Sequence, residues 1–245
     1  MYIDKGGNPT ILSCKIHDGK DVGVFVRENG KGTIKNCDIF GNYNSEVYID
    51  KGGNPTILSC KIHNGKGAGV LVRENGKGLV DSCDIFGNTY AGVYISTEGN
   101  PKIIRCKIHD GKDAGVSSKD KGKGIIDSCD IFGNTSAGVY ISTEGNPTIL
   151  RGKIRDGKTE GIFVLNKGKG IIENCDIFNN SGSGVKIESD GNPIITQCRI
   201  NRNKRYGVST DKSLGTVNNC DLTGNRMGHS RLRLSDVIGN DNKYD

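Results

Sequence analysis

Tryptophan is absent from the 245 residues, and aromatic side chains make up only 6% of them. With hydrophobic content at 33%, a thick globular core of large side chains is excluded; any core must be thin and built from small units. No apolar run approaches the roughly 18–20 residues that cross a bilayer as a helix, so no membrane partner is expected. No stretch shows the 3.6-residue period or the Leu-rich composition of helical repeats. Charge of a single sign is not concentrated either: 34 Lys and Arg are interspersed with 28 Asp and Glu, for a net +6. Nucleic-acid binders gather positive charge on one face, so that partner class is not expected. The amino end has no n-, h- and c-region of a secretory leader.

What the chain does have is a period. Cysteine stands at Cys14, Cys37, Cys60, Cys83, Cys106 and Cys129, 23 residues apart, and again at Cys175, Cys198 and Cys220 after Gly152 breaks the series. Aligned on that spacing, four columns are aliphatic. One begins Ile11, Ile34, Ile57, Val80; a second begins Ile16, Ile39, Ile62, Ile85; a third Val24, Val47, Val70, Val93; a fourth Val26, Ile49, Val72, Ile95. Segments such as Val24-Phe25-Val26 alternate with a period of two and are β-branched, which is strand chemistry. Gly30, Gly53, Gly76 and Gly99 head an unbroken glycine column, expected where each unit turns a corner at positive φ or under close backbone approach. A fixed period of this length with three short strands per unit predicts an all-β, right-handed parallel β-helix. About ten coils at the inter-strand spacing give a rod roughly 45–50 Å long. Residues 1–225 form the helix in this reading. Residues 226–245 form a C-terminal cap or loose tail, with Leu232, Leu234, Val237 and Ile238 folding over the last coil.

A second period spans two coils. Pro9, Pro55, Pro101, Pro147 and Pro193 alternate with Gly32, Gly78, Gly124 and Gly170. Lys15, Asp38, Lys61, Asp84, Lys107 and Asp130 alternate in sign, so that stacked neighbours attract. His17, Phe40, His63, Phe86, His109 and Phe132 alternate likewise, until Arg155 takes a histidine's place. Histidines two coils apart are too distant to share a zinc ion, so each is expected to cover a neighbouring Phe; no metal ligand and no cofactor is assigned. An odd number of cysteines in one stacking column argues for reduced thiols acting as small apolar fillers, and weakly for a cytoplasmic, reducing setting. Met1 to Pro9 repeats Val47 to Pro55 in all but the first residue, so the first coil presents an ordinary coil edge, through which end-to-end self-association is expected.

One outward column differs from the rest: Phe25, Tyr48, Leu71, Tyr94, Ser117, Tyr140, Phe163, Lys186. It lies between two core columns, and a flat sheet bearing these rings is a candidate platform for sugar rings or a peptide. The candidate binding residues are Phe25, Tyr48, Leu71, Tyr94, Tyr140 and Phe163, with Arg27 and Arg73 from the flanking column. Stacked aromatics that only stabilise the sheet are the alternative. The irregular positions (Glu46, Ser117-Ser118, Gly152, Arg155, Thr210) assemble neither paired carboxylates nor a base beside a nucleophile, and no catalytic residue is assigned.

Segments such as KIHDGK at 15–20, CDIFGN at 37–42 and GNPTIL at 53–58 and 145–150 resemble the CASH (carbohydrate-binding and sugar-hydrolase) β-helix repeats. The similarity is greatest to those of the F-box substrate adaptor of ubiquitin ligases and related bacterial and archaeal proteins. That resemblance implies a recognition surface in some members and polysaccharide lyase or epimerase activity in others. The chain departs from it in having no F-box-like helical segment, no Asp-Pro-His motif and no acidic calcium cluster. The leading expectation is a non-catalytic binding or scaffolding β-helix with a protein or polysaccharide ligand. A polysaccharide-modifying enzyme, a uronan lyase or epimerase, is the alternative. A structural segment of a longer repeat protein is the third reading.

Overall fold

The computed structural model describes residues 1–231 and 239–244. Most units fold into three strands of three residues, as in Thr33–Lys35, Asp38–Phe40 and Val47–Ile49. Strands of successive units pair parallel and in register, Ile34 opposite Ile57 and Val47 opposite Val70. Three sheets result: sheet A, with 11 strands including Val24–Val26; sheet B, with 10 including Thr33–Lys35; and sheet C, with 9 including Asp38–Phe40. Connections have the right-handed sense expected of parallel crossovers. Among the described residues there are about nine full coils with a partial coil at each end, and no helix.

The core is the expected aliphatic column. Ile34, Ile39, Val47 and Ile49 from one coil are fully buried, and their counterparts repeat the pattern up the rod. The eight cysteines from Cys37 to Cys220 are buried beside them and unpaired; Cys14, in the first coil, is exposed. Their thiols form a hydrogen-bonded ladder, with the Cys37 N–H donating to Cys60 Sγ at 3.4 Å and the Cys60 thiol donating to Leu58 O at 3.3 Å. Hydrogen bonds between successive thiols, then burial, push Cys60 up; at Cys106 the hydrogen bond to Cys129 leads, and the thiol is pushed up to about 12. A second interior ladder, of asparagines, closes another corner. Asn88 accepts the Gly65 N–H at 3.0 Å and donates to Ile62 O at 3.3 Å, as Asn134 does for Gly111 and Ile108.

The glycine column owes its identity to close approach. A Cβ at Gly53 would stand 2.5 Å from Val26 O of the coil below, closer than real contacts allow. Positive φ is carried instead by the preceding pair, such as Glu28 and Asn29 at 49° and 61°. The two-coil period has its own steric cause. Gly78 holds a φ of 122°, and a Cβ there would lie 2.9 Å from Pro55 O. Proline in one coil and glycine in the next interlock.

On sheet C, Lys61 stands between Asp38 and Asp84, as the alternating signs predict. The histidines are sandwiched: His63 lies 5.1 Å from Phe40 and 4.5 Å from Phe86, with planes within 7°. Its Nε2 also bonds Asp38 at 2.9 Å. Arg155, where a histidine would stand, keeps the contact by placing its guanidinium 4.3 Å from the Phe132 ring. At the far end, Ser230–Arg231 adds the last strand of sheet A, and Lys243 pairs with Asp221 by the same sign rule. The Leu222 N–H donates to Lys243 O, and the Lys243 N–H to Cys220 O. Leu232, Leu234, Val237 and Ile238 lie outside the described residues.

Candidate functional site

Sheet A places its first and third strand residues in the core, so the middle residue faces outward. Phe25, Tyr48, Leu71 and Tyr94 therefore lie opposite one another in successive coils, and Tyr140 opposite Phe163. All are half-buried. Phe25 and Tyr48 stack at 4.6 Å with planes 11° apart, while Tyr140 and Phe163 meet edge to face at 5.7 Å. Leu71 separates Tyr48 from Tyr94, and buried Ser117 separates Tyr94 from Tyr140.

Cations from the column two residues on cover these rings. Arg27 stands 5.4 Å from the Phe25 centroid and Arg73 5.6 Å from that of Tyr48. Lys119 folds over the space left by Ser117, 4.8 Å from Tyr140 and 5.9 Å from Tyr94. The rings are thus largely committed to one another and to cations. A flat ligand finds their edges more readily than their faces.

The freely exposed rings lie to one side. Tyr43 and Tyr90 are 65% and 61% exposed and project from the corner that precedes each sheet A strand. Their backbone is fixed by the coil below, with N–H donated to Gly19 O at 2.9 Å and to Gly67 O at 3.1 Å. Lys66 sits 4.8 Å from the Tyr43 ring. Corner and sheet together enclose an open groove of about 660 Å³, with Leu71 and Tyr94 on its floor, Tyr43 and Tyr90 in its walls, and Lys66 and Lys119 among its cations. Asp113 brings one carboxylate to the same groove. Burial, then Asp120 and Asp113, push the Tyr94 phenol above its ordinary range, so it is a proton holder at neutral pH.

Behind the groove wall lies Glu46, which stands in a column otherwise made of glycine. It is fully buried, and its carboxylate accepts the Asn42 N–H at 3.1 Å and a second bond from the Asn42 side chain. Its Oε1 would lie only 2.6 Å from a Cβ at residue 65, so the carboxylate uses the room left by Gly65, one of the glycines that alternate with asparagine along this register. Burial pushes Glu46 up to about 7 against the pull of the Asn42 bonds.

The groove unites Leu71 and Tyr94 of the sequence-derived site. Phe25, Tyr48, Arg27 and Arg73 line the same sheet outside it, and Tyr140 and Phe163 continue the face beyond Lys119. Sequence reasoning missed Tyr43, Tyr90 and Lys66, because corner residues carry no strand alternation; their one signal is an aromatic outside every periodic column. Among the described residues no cluster of three or more His, Cys, Asp or Glu could hold a metal ion.

The family model described as the right-handed β-helix region matches residues 1–103 and 91–232. The chain belongs to this right-handed β-helix family. A search of curated protein sequences found no significant match. Among solved structures, the β-helix is similar to the periplasmic alginate epimerase AlgG, at a TM-score of 0.73 and 12% identity, with 99% of this chain and 76% of that one covered. It is similar as well to the A-module of the mannuronan C-5 epimerase AlgE6 of Azotobacter vinelandii, at a TM-score of 0.59 and 12% identity, covering 98% and 91%. A third likeness is to ORF18 of Geobacillus virus E2, at 0.57 and 11%, covering 98% and 51%. At these identities the likeness is one of fold.

Proposed function

We propose that this β-helix engages polysaccharide, seating a glycan in the sheet A groove between Tyr43 and Tyr90. The observation that carries the reading is the pair of exposed rings beside a half-apolar floor with lysines near by. Sugar rings combine apolar faces with a polar rim, and tyrosine matches both. Uronic acids would add carboxylates that Lys66 and Lys119 can meet. Of the protein and polysaccharide ligands that the sequence left open, the fold likeness to two alginate epimerases supports the polysaccharide. The test is titration calorimetry against polymannuronate, polygalacturonate and a neutral glucan. Tyr43→Ala and Tyr90→Ala should each weaken binding about tenfold, or about 1.4 kcal/mol, with far-ultraviolet circular dichroism unchanged. Unaltered affinity in both would reject the groove.

The second reading is modification of the polymer by a lyase or epimerase. What favours it is the meeting of Tyr94 with Lys119. Asp113 would take the proton from the carbon beside the uronate carboxylate, and the Lys119 ammonium would stabilise the charge that develops on that carboxylate. The protonated Tyr94 phenol would return a proton to the carbon in epimerisation or to the leaving oxygen in elimination. Proton NMR of treated polymannuronate and absorbance from unsaturated ends, with and without calcium, read this activity directly. Lys119→Ala should abolish turnover, and inactivity of the native protein across the panel leaves binding alone.

A further inference from the structure

Asp50 breaks the economy of the sheet A face. It is 4% exposed, two residues beyond Tyr48 on the outward side, in the column where the adjacent coils carry Arg27 and Arg73. Both arginines turn to other partners. Arg27 Nη2 bonds Glu28 and Arg73 Nη2 bonds Glu74, each at 2.5 Å, and both guanidinium groups lie over rings. Asp50 has the neighbouring Tyr48 phenol as a hydrogen-bond partner, yet its buried Oδ1 has no donor, and Arg27 Nε, also buried, has no acceptor. An acceptor and a donor of matching chemistry are left unpaired in neighbouring coils.

The fold does not require an acid there. Ser96 and Ser142 fill the same register further up and are equally buried. A buried carboxylate oxygen without a donor lowers stability, and such groups recur where a ligand completes them. A cation would satisfy only Asp50 and an anion only Arg27, whereas a hydroxyl both donates and accepts. The ties to Glu28 and Glu74 are half-buried pairs between adjacent residues, and a hydroxyl that accepts from Arg27 Nε can form while the Arg27 Nη2–Glu28 contact stays. Tyr48 and Leu71 connect this point to the groove floor, since they are register partners on the same face.

We propose that Asp50 and Arg27 form a hydroxyl-binding subsite for the polysaccharide, in which one sugar hydroxyl donates to Asp50 Oδ1 and accepts from Arg27 Nε–H. This rests on the polysaccharide reading of the groove. The probe is whichever of polymannuronate, polygalacturonate or neutral glucan the native protein binds, measured by calorimetry beside thermal unfolding. Asp50→Ser installs the residue the fold uses at Ser96; it should lower affinity at least tenfold and raise Tm by a few degrees. Asp50→Asn, which keeps the shape, should lower affinity at least threefold. If Tyr90→Ala weakens binding while both Asp50 variants stay within twofold of native affinity, the subsite is wrong and the groove stands. If Asp50→Ser lowers Tm together with affinity, native affinity in a folded Asp50→Asn overturns the proposal. If the native protein binds none of the three probes, the groove reading and the subsite fall together.

Discussion

Glu46 shows how a single residue can tie a surface groove to pH. Its folded-state pKa of about 7 lies above the 4.5 of an exposed glutamate, so the folded protein holds this proton more tightly than the unfolded chain. Its contribution to stability is therefore fully present below about pH 4.5 and is lost as pH rises to about 7, beyond which it is constant. At 1.36 kcal/mol per unit the total is on the order of 3 kcal/mol. Glu46→Gln keeps an acceptor for the Asn42 N–H and removes the ionisation. Urea unfolding at pH 5 and pH 8 should show the native protein losing stability between the two, with the variant nearly flat; parallel slopes would mean that the carboxyl is not the titrating group.

At the scale of the strand and the ladder, the interruption of the cysteine column at Gly152 is a local weakness. A Cβ there would meet Cys129 O at 3.4 Å and Cys175 Sγ at 3.9 Å, ordinary contact distances. Gly152→Cys should restore the ladder and reduce the freedom of the unfolded chain, for a gain of about 0.5–1.5 kcal/mol seen as a higher urea midpoint. The elements were legible because their cause is periodic: Ile34, Ile57 and their kin recur at one spacing, and a β-branched residue flanked by outward ones has a single use in a stacked strand. The outward faces were legible for the same reason, in the Lys61–Asp84 and His63–Phe86 alternations. Corner residues were not. Tyr43 and Tyr90 are raised by the corner geometry that Asn42 and Asn88 fix from inside, and no spacing announces that. Asp50 sits between Arg27 and Arg73 in its column with nothing in the spacing to single it out; only the conformations of those arginines leave its Oδ1 without a donor. Glu46 was visible as an irregularity, but its meaning depends on the space above Gly65.

For the whole molecule, the true building block is a pair of coils. Removing residues 116–161 takes out 46 residues and brings Lys107 beside Asp176, His109 beside Phe178 and Pro101 beside Gly170. Removing residues 139–161 takes out 23 and brings Asp130 beside Asp176 and Phe132 beside Phe178, with Gly124 facing Gly170. The longer deletion should unfold at a higher temperature than the shorter one despite having fewer contacts, because like charges in register repel and the proline–glycine interlock is lost. Circular dichroism melts of the two deletions decide the point, and the reverse order would show that the coils are interchangeable.

The parallel stacking has a mechanical side. Every strand lies across the long axis, and each coil is bonded only to the one above and the one below. A force drawing the two ends apart would therefore load one seam at a time, peeling the rod like thread from a spool. Each release would lengthen the tether by roughly 75 Å, the reach of one extended turn.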